Sequence, residues 1–167
     1  IPFSVRSRGG ETIFGDRLAF VRDIATVHDF TEGRFEHTGN TFDLAIHGDG
    51  FFVVDTENGQ RYTRNGHFRL DETGQLVTEV GDPILSDGGQ PFFLSPEDTQ
   101  ITVARDGTLS TENGELGRIQ VMRFENPQQL EQTSDALFST EAVGEAVESP
   151  DIVQGMLEGS NVEGIIE

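Results

Sequence analysis

Four histidines, His28, His37, His47 and His67, are the first side chains to test for chemistry. Their intervals of 9, 10 and 20 residues never give the i, i+4 pair with which one helix face presents two imidazoles to zinc, and no HExxH occurs. His47-Gly48-Asp49 offers two donors without a third, so solvated or cross-strand imidazoles are expected and no metal site is assigned. Asp and Glu together number 30, and counting alone leaves an acid pair of the glycosidase kind open. Asp49, Asp55, Asp71 and Glu72, however, stand beside turns, where a short carboxylate bonds its own backbone. A chain with no Trp and only Tyr62 as tyrosine is also poorly furnished to stack a sugar ring. Asp71-Glu72-Thr73-Gly74 does not fit the calcium loop pattern, and neither a G-x-S-x-G elbow nor a G-x-x-x-x-G-K-[ST] loop is present. All 11 basic residues are Arg, which removes Schiff-base and phosphate-loop lysines. Absence of Cys removes thiolate ligands and disulfides. The sequence thus nominates no catalytic, cofactor-binding or metal residue, and implies no cofactor and no enzyme.

What remains is charge and scaffold. The formal charge of −19 argues against nucleic acid and anionic membrane surfaces, both of which demand clustered cations. No apolar run approaches the roughly 20 residues of a membrane-spanning helix. Arg61, Arg64 and Arg69 cluster in one region and are expected to pair with neighbouring carboxylates across strands, or with another chain in a polymer. Ile1-Pro2-Phe3-Ser4 is no secretory signal and lacks an initiator Met, so the chain reads as a piece of something longer.

The elements that would position these residues are strands. With 167 residues the chain suits one domain, and 13 Phe, 20 Gly and frequent turn dipeptides favour an all-β fold. We expect antiparallel meanders forming a barrel-like or sandwich core. Residues 1–30 read as an extended entry segment and first strand, 31–157 as the β core, and 158–167 as the start of a helical segment. Phe42, Leu44 and Ile46 alternate with Asp43, Ala45 and His47, the pattern of a half-buried strand. Gly48 to Leu85 then reads as a meander: an apolar run at Phe51–Val54, a turn at Glu57-Asn58-Gly59, a return over Arg61–Arg64, a tight type I′ turn at Asn65-Gly66 into Phe68 and Leu70, and a further turn into Leu76-Val77-Thr78. Ser86–Gln90 is a loop, and Pro91 limits its successor to a strand start or edge. Ile101, Val103, Leu109, Ile119 and Val121 outline a second meander, in which Thr111-Glu112-Asn113-Gly114 repeats Thr56-Glu57-Asn58-Gly59. Asn126 before Pro127 predicts one short helix near 126–131. Leu137–Thr140 resumes strand, Glu141–Pro150 is acidic and irregular, and Ile152–Leu157 is a final apolar strand.

Asp49-Gly50-Phe51-Phe52-Val53-Val54, Tyr62-Thr63-Arg64-Asn65-Gly66 and Gly74-Gln75-Leu76-Val77 resemble, in order and spacing, the signature blocks of the flagellar rod and hook proteins, the basal-body rod proteins fitting best. Asp29–Gly33 and Thr38–Ile46 are similar to that family's lead-in. Asp106–Ser110 and Gly117-Arg118-Ile119 resemble later blocks, and Leu157-Glu158-Gly159-Ser160-Asn161-Val162 the point where its C-terminal helix begins. The wording of that last block and of Arg61–Phe68 is closer to the proximal than to the distal rod protein. The resemblance implies a structural subunit of the axial drive shaft in the basal body, exported through the flagellar type III apparatus. It implies helical polymerisation with other rod and hook-basal-body proteins through terminal helices that this sequence does not contain. On that reading the core alone would be monomeric, and loops Ser86–Gln90 and Glu141–Pro150 are candidates for neighbour contacts. A carbohydrate-binding or adhesive β-domain is the alternative from another class, and an acid-dyad hydrolase has only carboxylate abundance behind it.

Overall fold

The computed structural model describes residues 30–134 and 136–159. The strand expected within Ile13–Phe30 and the helix start within residues 160–167 lie outside them, as does His28. The described chain is antiparallel β throughout, as expected, with one 3-10 turn. Its core is sandwich-like and not a closed barrel.

The strands are β1 (Phe35–His37), β2 (Leu44–His47), β3 (Phe51–Thr56), β4 (Gly59–Thr63), β5 (Phe68–Leu70), β6 (Leu76–Thr78), β7 (Thr102–Val103) and β8 (Thr108–Thr111). They continue with β9 (Gly114–Arg118), β10 (Val121–Arg123), β11 (Glu131–Gln132), β12 (Phe138–Ser139), β13 (Glu145–Ala146), β14 (Asp151–Gln154) and β15 (Met156–Glu158). A six-stranded sheet runs β11-β12-β4-β3-β10-β13; β7-β8-β9 form a second sheet, and β1–β15, β2–β14 and β5–β6 are pairs.

The apolar run Phe51-Phe52-Val53-Val54 is buried on both faces of β3, as a continuous run must be. Phe52 and Val54 enter the main core with Leu44, Ile46, Leu76, Ile84, Leu109 and Ile119. There Phe52 meets Phe68 edge to face with ring centroids 5.2 Å apart. Phe51 turns the other way, into a second aromatic group with Phe124 at 6.0 Å and Phe138 at 6.3 Å, while Tyr62 meets Phe124 at 4.8 Å. Such pairs each add about 0.5–1.5 kcal/mol beyond burial.

The repeated tetrapeptide makes the same turn twice. Gly59 (φ +107°) and Gly114 (φ +132°) both occupy backbone conformations that side chains resist. In each turn the threonine hydroxyl accepts from the asparagine N–H, Thr56 from Asn58 at 3.2 Å and Thr111 from Asn113 at 3.0 Å.

Several expectations need correction. Asn65-Gly66 is not a hairpin turn, because β4 pairs with β3 and β12 while β5 pairs with β6. The chain crosses there from one sheet to another. Gly66 is required by close approach: a Cβ would stand 1.7 Å from the Leu44 carbonyl oxygen. Asp43, Leu44, Ala45 and Ile46 are all buried, so this stretch is covered on both faces, not half-buried. Ile152–Leu157 is two strands in different pairs, broken at Gly155 (φ +82°). The acidic segment 141–150 is not wholly irregular, since β13 pairs there with β10. The expected helix is a 3-10 turn at Pro127–Gln129 with Pro opening it, but Asn126 makes no side-chain cap.

Candidate functional site

The most constrained polar residue is Arg64, which follows the last residue of β4. Its Nε donates to Glu158 Oε1 at 2.9 Å and one terminal nitrogen donates to Glu158 Oε2 at 3.0 Å and to the Ile46 carbonyl at 3.0 Å. The other terminal nitrogen donates to the carbonyls of Gly48 and Gly50, both at 2.7 Å. A guanidinium carries five N–H groups in a fixed fork, and here each has an acceptor. The two side chains are 14% and 7% exposed. Lysine has neither the fork nor the number of donors for this position.

Glu158 ends β15, and its Oε2 also accepts the Gly33 N–H at 2.7 Å. The Gly159 N–H donates to the Arg34 carbonyl at 2.7 Å, and a Cβ on Gly33 would stand 2.2 Å from the Gly159 oxygen. Residues 33 and 159 therefore lie side by side, held by the β1–β15 pair and by Arg64 behind it.

A second polar cluster surrounds Asp43, which is 1% exposed. Its carboxylate accepts from Thr38 Oγ1 at 2.7 Å, from Asn40 Nδ2 at 2.9 Å and lies 2.7 Å from His67 Nδ1. Burial opposes the charge, but the hydrogen bonds from Thr38, His67 and Asn40 outweigh it and hold the carboxyl below its ordinary value.

The region from 45 to 111 matches the family model described as the flagellar hook protein FlgE/F/G D1 domain. The chain is 39% identical over 152 residues to the flagellar basal-body rod protein FlgF of Caulobacter vibrioides, covering 90% of this chain and 62% of that one. It is 36% identical to the rod protein FlgG of Buchnera aphidicola, covering 85% and 59%, and 36% identical to the rod protein FlgF of Salmonella typhimurium, covering 82% and 60%. Over these spans the chain is similar to the flagellar hook and rod proteins. It spans about three fifths of the length of these relatives.

Three of the blocks that carry the family likeness, the first, the second and the last, meet in space. Gly48 and Gly50 from the turn before β3, Arg64 from the second block and Glu158 from the last one share a single hydrogen-bond network. In the third block, the Gly74 carbonyl accepts the Leu94 N–H at 2.8 Å, and a Cβ at Gly74 would stand 2.3 Å from the Leu94 oxygen. These motifs serve as joints of a scaffold.

The residues weighed for chemistry are distributed otherwise. His47 Nδ1 lies 3.0 Å from Glu32 Oε2, His37 sits in β1, and among the described residues no three His, Asp or Glu side chains converge as metal ligands. Asp71 accepts from Thr73 Oγ1 and from the N–H groups of Thr73 and Gln75, which lowers its carboxyl and makes it the turn residue expected. Of the arginine cluster, Arg64 pairs with a carboxylate on another strand, Glu158 of β15, while Arg61 and Arg69 face no carboxylate across their own pairs. Val54 stands opposite Arg61 and Val77 opposite Arg69, so the register offers no carboxylate. Arg61 donates to the Gln60 carbonyl and Arg69 reaches the Glu79 carbonyl, while the partner of Arg64 lies 94 residues away. Glu158 and Asp43 were not singled out from sequence; the only available signal was a lone carboxylate among apolar neighbours.

Of the two loops nominated for contacts, Ser86–Gln90 is tightly bound to itself, Ser86 pairing with Gln90 and receiving the N–H of Gly89. The other bears Val143, 95% exposed.

Proposed function

We propose that this chain is the β core of a structural subunit of the bacterial flagellar basal-body rod, with a role in load-bearing and none in catalysis. The observation that carries the reading is the Arg64 network, which ties the family's blocks together and holds residues 33 and 159 side by side. A subunit that polymerises through paired terminal helices needs the two ends of its core held together in this way. Torque through an axial polymer requires a core that does not shear at this joint, and an enclosed five-bond guanidinium resists shear. Relatives named as rod proteins support the reading, whereas nothing in them favours a carbohydrate-binding domain. The slightly higher identity to a FlgF relative supports proximal placement.

On this reading residues 31–157 are the outer core and the flanking segments build the polymer. The subunit contacts other rod and hook proteins through heterologous interfaces, which extend into a helix without closing. Export through the flagellar type III apparatus goes with that location. The isolated chain is monomeric, because its −19 surface repels a second copy. The full-length gene product should co-purify with hook-basal bodies and disappear from them when the export apparatus is deleted; its absence from intact basal bodies overturns the reading. Sedimentation of the 167-residue chain should give one monomeric species at all concentrations, and a stable oligomer would refute the monomer.

A further inference from the structure

We infer that Asn58, at the tip of the β3–β4 hairpin, is a site of spontaneous deamidation, while the fold protects the other two Asn-Gly pairs of the chain. The reaction needs no enzyme. The Gly59 backbone nitrogen attacks Asn58 Cγ and closes a five-membered succinimide; the Cγ–Nδ2 bond breaks, and ammonia leaves carrying the amide proton. Water then adds at either imide carbonyl and opens the ring. One opening gives an aspartyl side chain, the other an isoaspartyl link with an extra methylene in the backbone. Glycine has no Cβ to shield its nitrogen, so Asn58-Gly59, Asn65-Gly66 and Asn113-Gly114 are all chemically competent.

Side-chain restraint separates them. Thr56–Gly59 and Thr111–Gly114 are the same turn made twice, and asparagine and glycine are exposed in both. What differs is the hold on the carboxamide. Asn113 Nδ2 donates to Asp98 Oδ1 at 2.8 Å, and Asp98 is itself fixed by the Ser95 N–H at 2.7 Å and by Thr111 Oγ1 at 3.2 Å. Glu112 further ties that turn to Thr99 and Gln100. To reach the Gly114 nitrogen, Asn113 must give up a bond to a charged group, which slows attack by about tenfold or more. At the third pair, Asn65 Oδ1 accepts the His67 N–H at 3.0 Å. Gly66 is buried against the Leu44 carbonyl, and its own oxygen accepts the Leu44 N–H at 2.9 Å, so its nitrogen cannot swing toward Asn65. Asn58 lacks any such restraint. Its backbone N–H reaches Thr56 Oγ1, but its carboxamide has no hydrogen-bond partner among the described residues. The carboxylate created there extends a hairpin end that already carries Asp55 and Glu57.

The test holds the folded 167-residue chain in mildly alkaline buffer and follows each asparagine by peptide mapping with mass spectrometry, counting isoaspartate by enzymatic methylation. Asn58 should convert at least about tenfold faster than Asn113 and Asn65. In urea the three rates should converge, because local sequence alone then governs them. Asp98→Ala should speed Asn113 by about tenfold while Asn65 stays slow, and a slow Asn65 shows that the fold survives the change. If that variant unfolds, all three rates rise together and the wild-type ranking decides alone. A lead by Asn113 or Asn65, equal rates in the folded chain, or a ranking that persists in urea would each overturn the inference. So would an Asn113 that stays slow in a folded Asp98→Ala chain.

Discussion

Arg64 and Glu158 form a two-point ion pair at 2.9 and 3.0 Å across 94 residues of sequence. Because both side chains are largely withdrawn from water, neither can be removed without stranding the other. The arginine also closes the Gly48–Gly50 turn, so one side chain fixes the entry to β3 and the exit from β15.

Arg64→Ala should therefore destabilise the chain by about 3–5 kcal/mol, the range for breaking a buried pair. Arg64→Lys should recover only a minor part, since an ammonium cannot reach acceptors on both sides. Urea unfolding midpoints of the three proteins check this. A loss below about 1 kcal/mol for Arg64→Ala would place the pair among ordinary surface bridges.

The two Asn-Gly dipeptides of the first meander should both lose stability on alanine substitution, but to very different extents. At Gly59 a Cβ finds nothing nearer than Arg61 Nη1 at 3.5 Å, leaving only the backbone strain of φ +107°, about 1–2 kcal/mol. At Gly66 a Cβ must displace the Leu44 carbonyl and with it the 2.9 Å bond from the Leu44 N–H to the Gly66 oxygen. Gly66→Ala should cost more than about 4 kcal/mol or prevent folding, a value beyond most single substitutions. Equal losses in thermal unfolding would sink the distinction.

These dipeptides also mark where sequence legibility stops. Local rules identified Asn58-Gly59 and Asn113-Gly114 because turn chemistry is contained within four residues. The same rule failed at Asn65-Gly66, where the glycine answers to Leu44, a residue in another sheet. Burial of Ala45 was illegible for a like reason, since the strand paired beside β2, β14, lies more than a hundred residues away. The Arg61–Arg69 cluster was visible as charge, but its register against Val54 and Val77 was not. Glu158 shows the limit most plainly: its motif was recognisable, its partner was not.

Glu112 should titrate far below an ordinary glutamate. Its carboxylate accepts the Gln100 N–H, the Thr99 hydroxyl and the Thr99 N–H, which hold its pKa at about 2 instead of 4.5. The folded value is the lower one, so the stabilisation from this contact is complete above 4.5 and lost as pH falls through about 2. A carbon-detected titration of the Glu112 carboxyl should place its midpoint near 2, and a midpoint near 4.5 would show that the contact does not form in solution.

Asp43 contributes to the acid limb of stability. Its folded pKa lies below the ordinary value of 3.8, despite burial, because Thr38, His67 and Asn40 bond the ionised form. A depressed folded value means that the stabilisation is complete above 3.8 and drains away as pH falls through the folded pKa. Asp43→Asn keeps the shape but leaves the donors of Thr38, Asn40 and His67 with a single weaker acceptor. At neutral pH it should cost about 1–3 kcal/mol, the penalty for buried polar groups left poorly paired. Below the folded pKa wild type and variant should converge, because the wild-type carboxyl is then neutral as well. Thermal unfolding of both proteins across the acid range tests this, and parallel curves with a constant gap would show that ionised Asp43 contributes nothing the amide lacks.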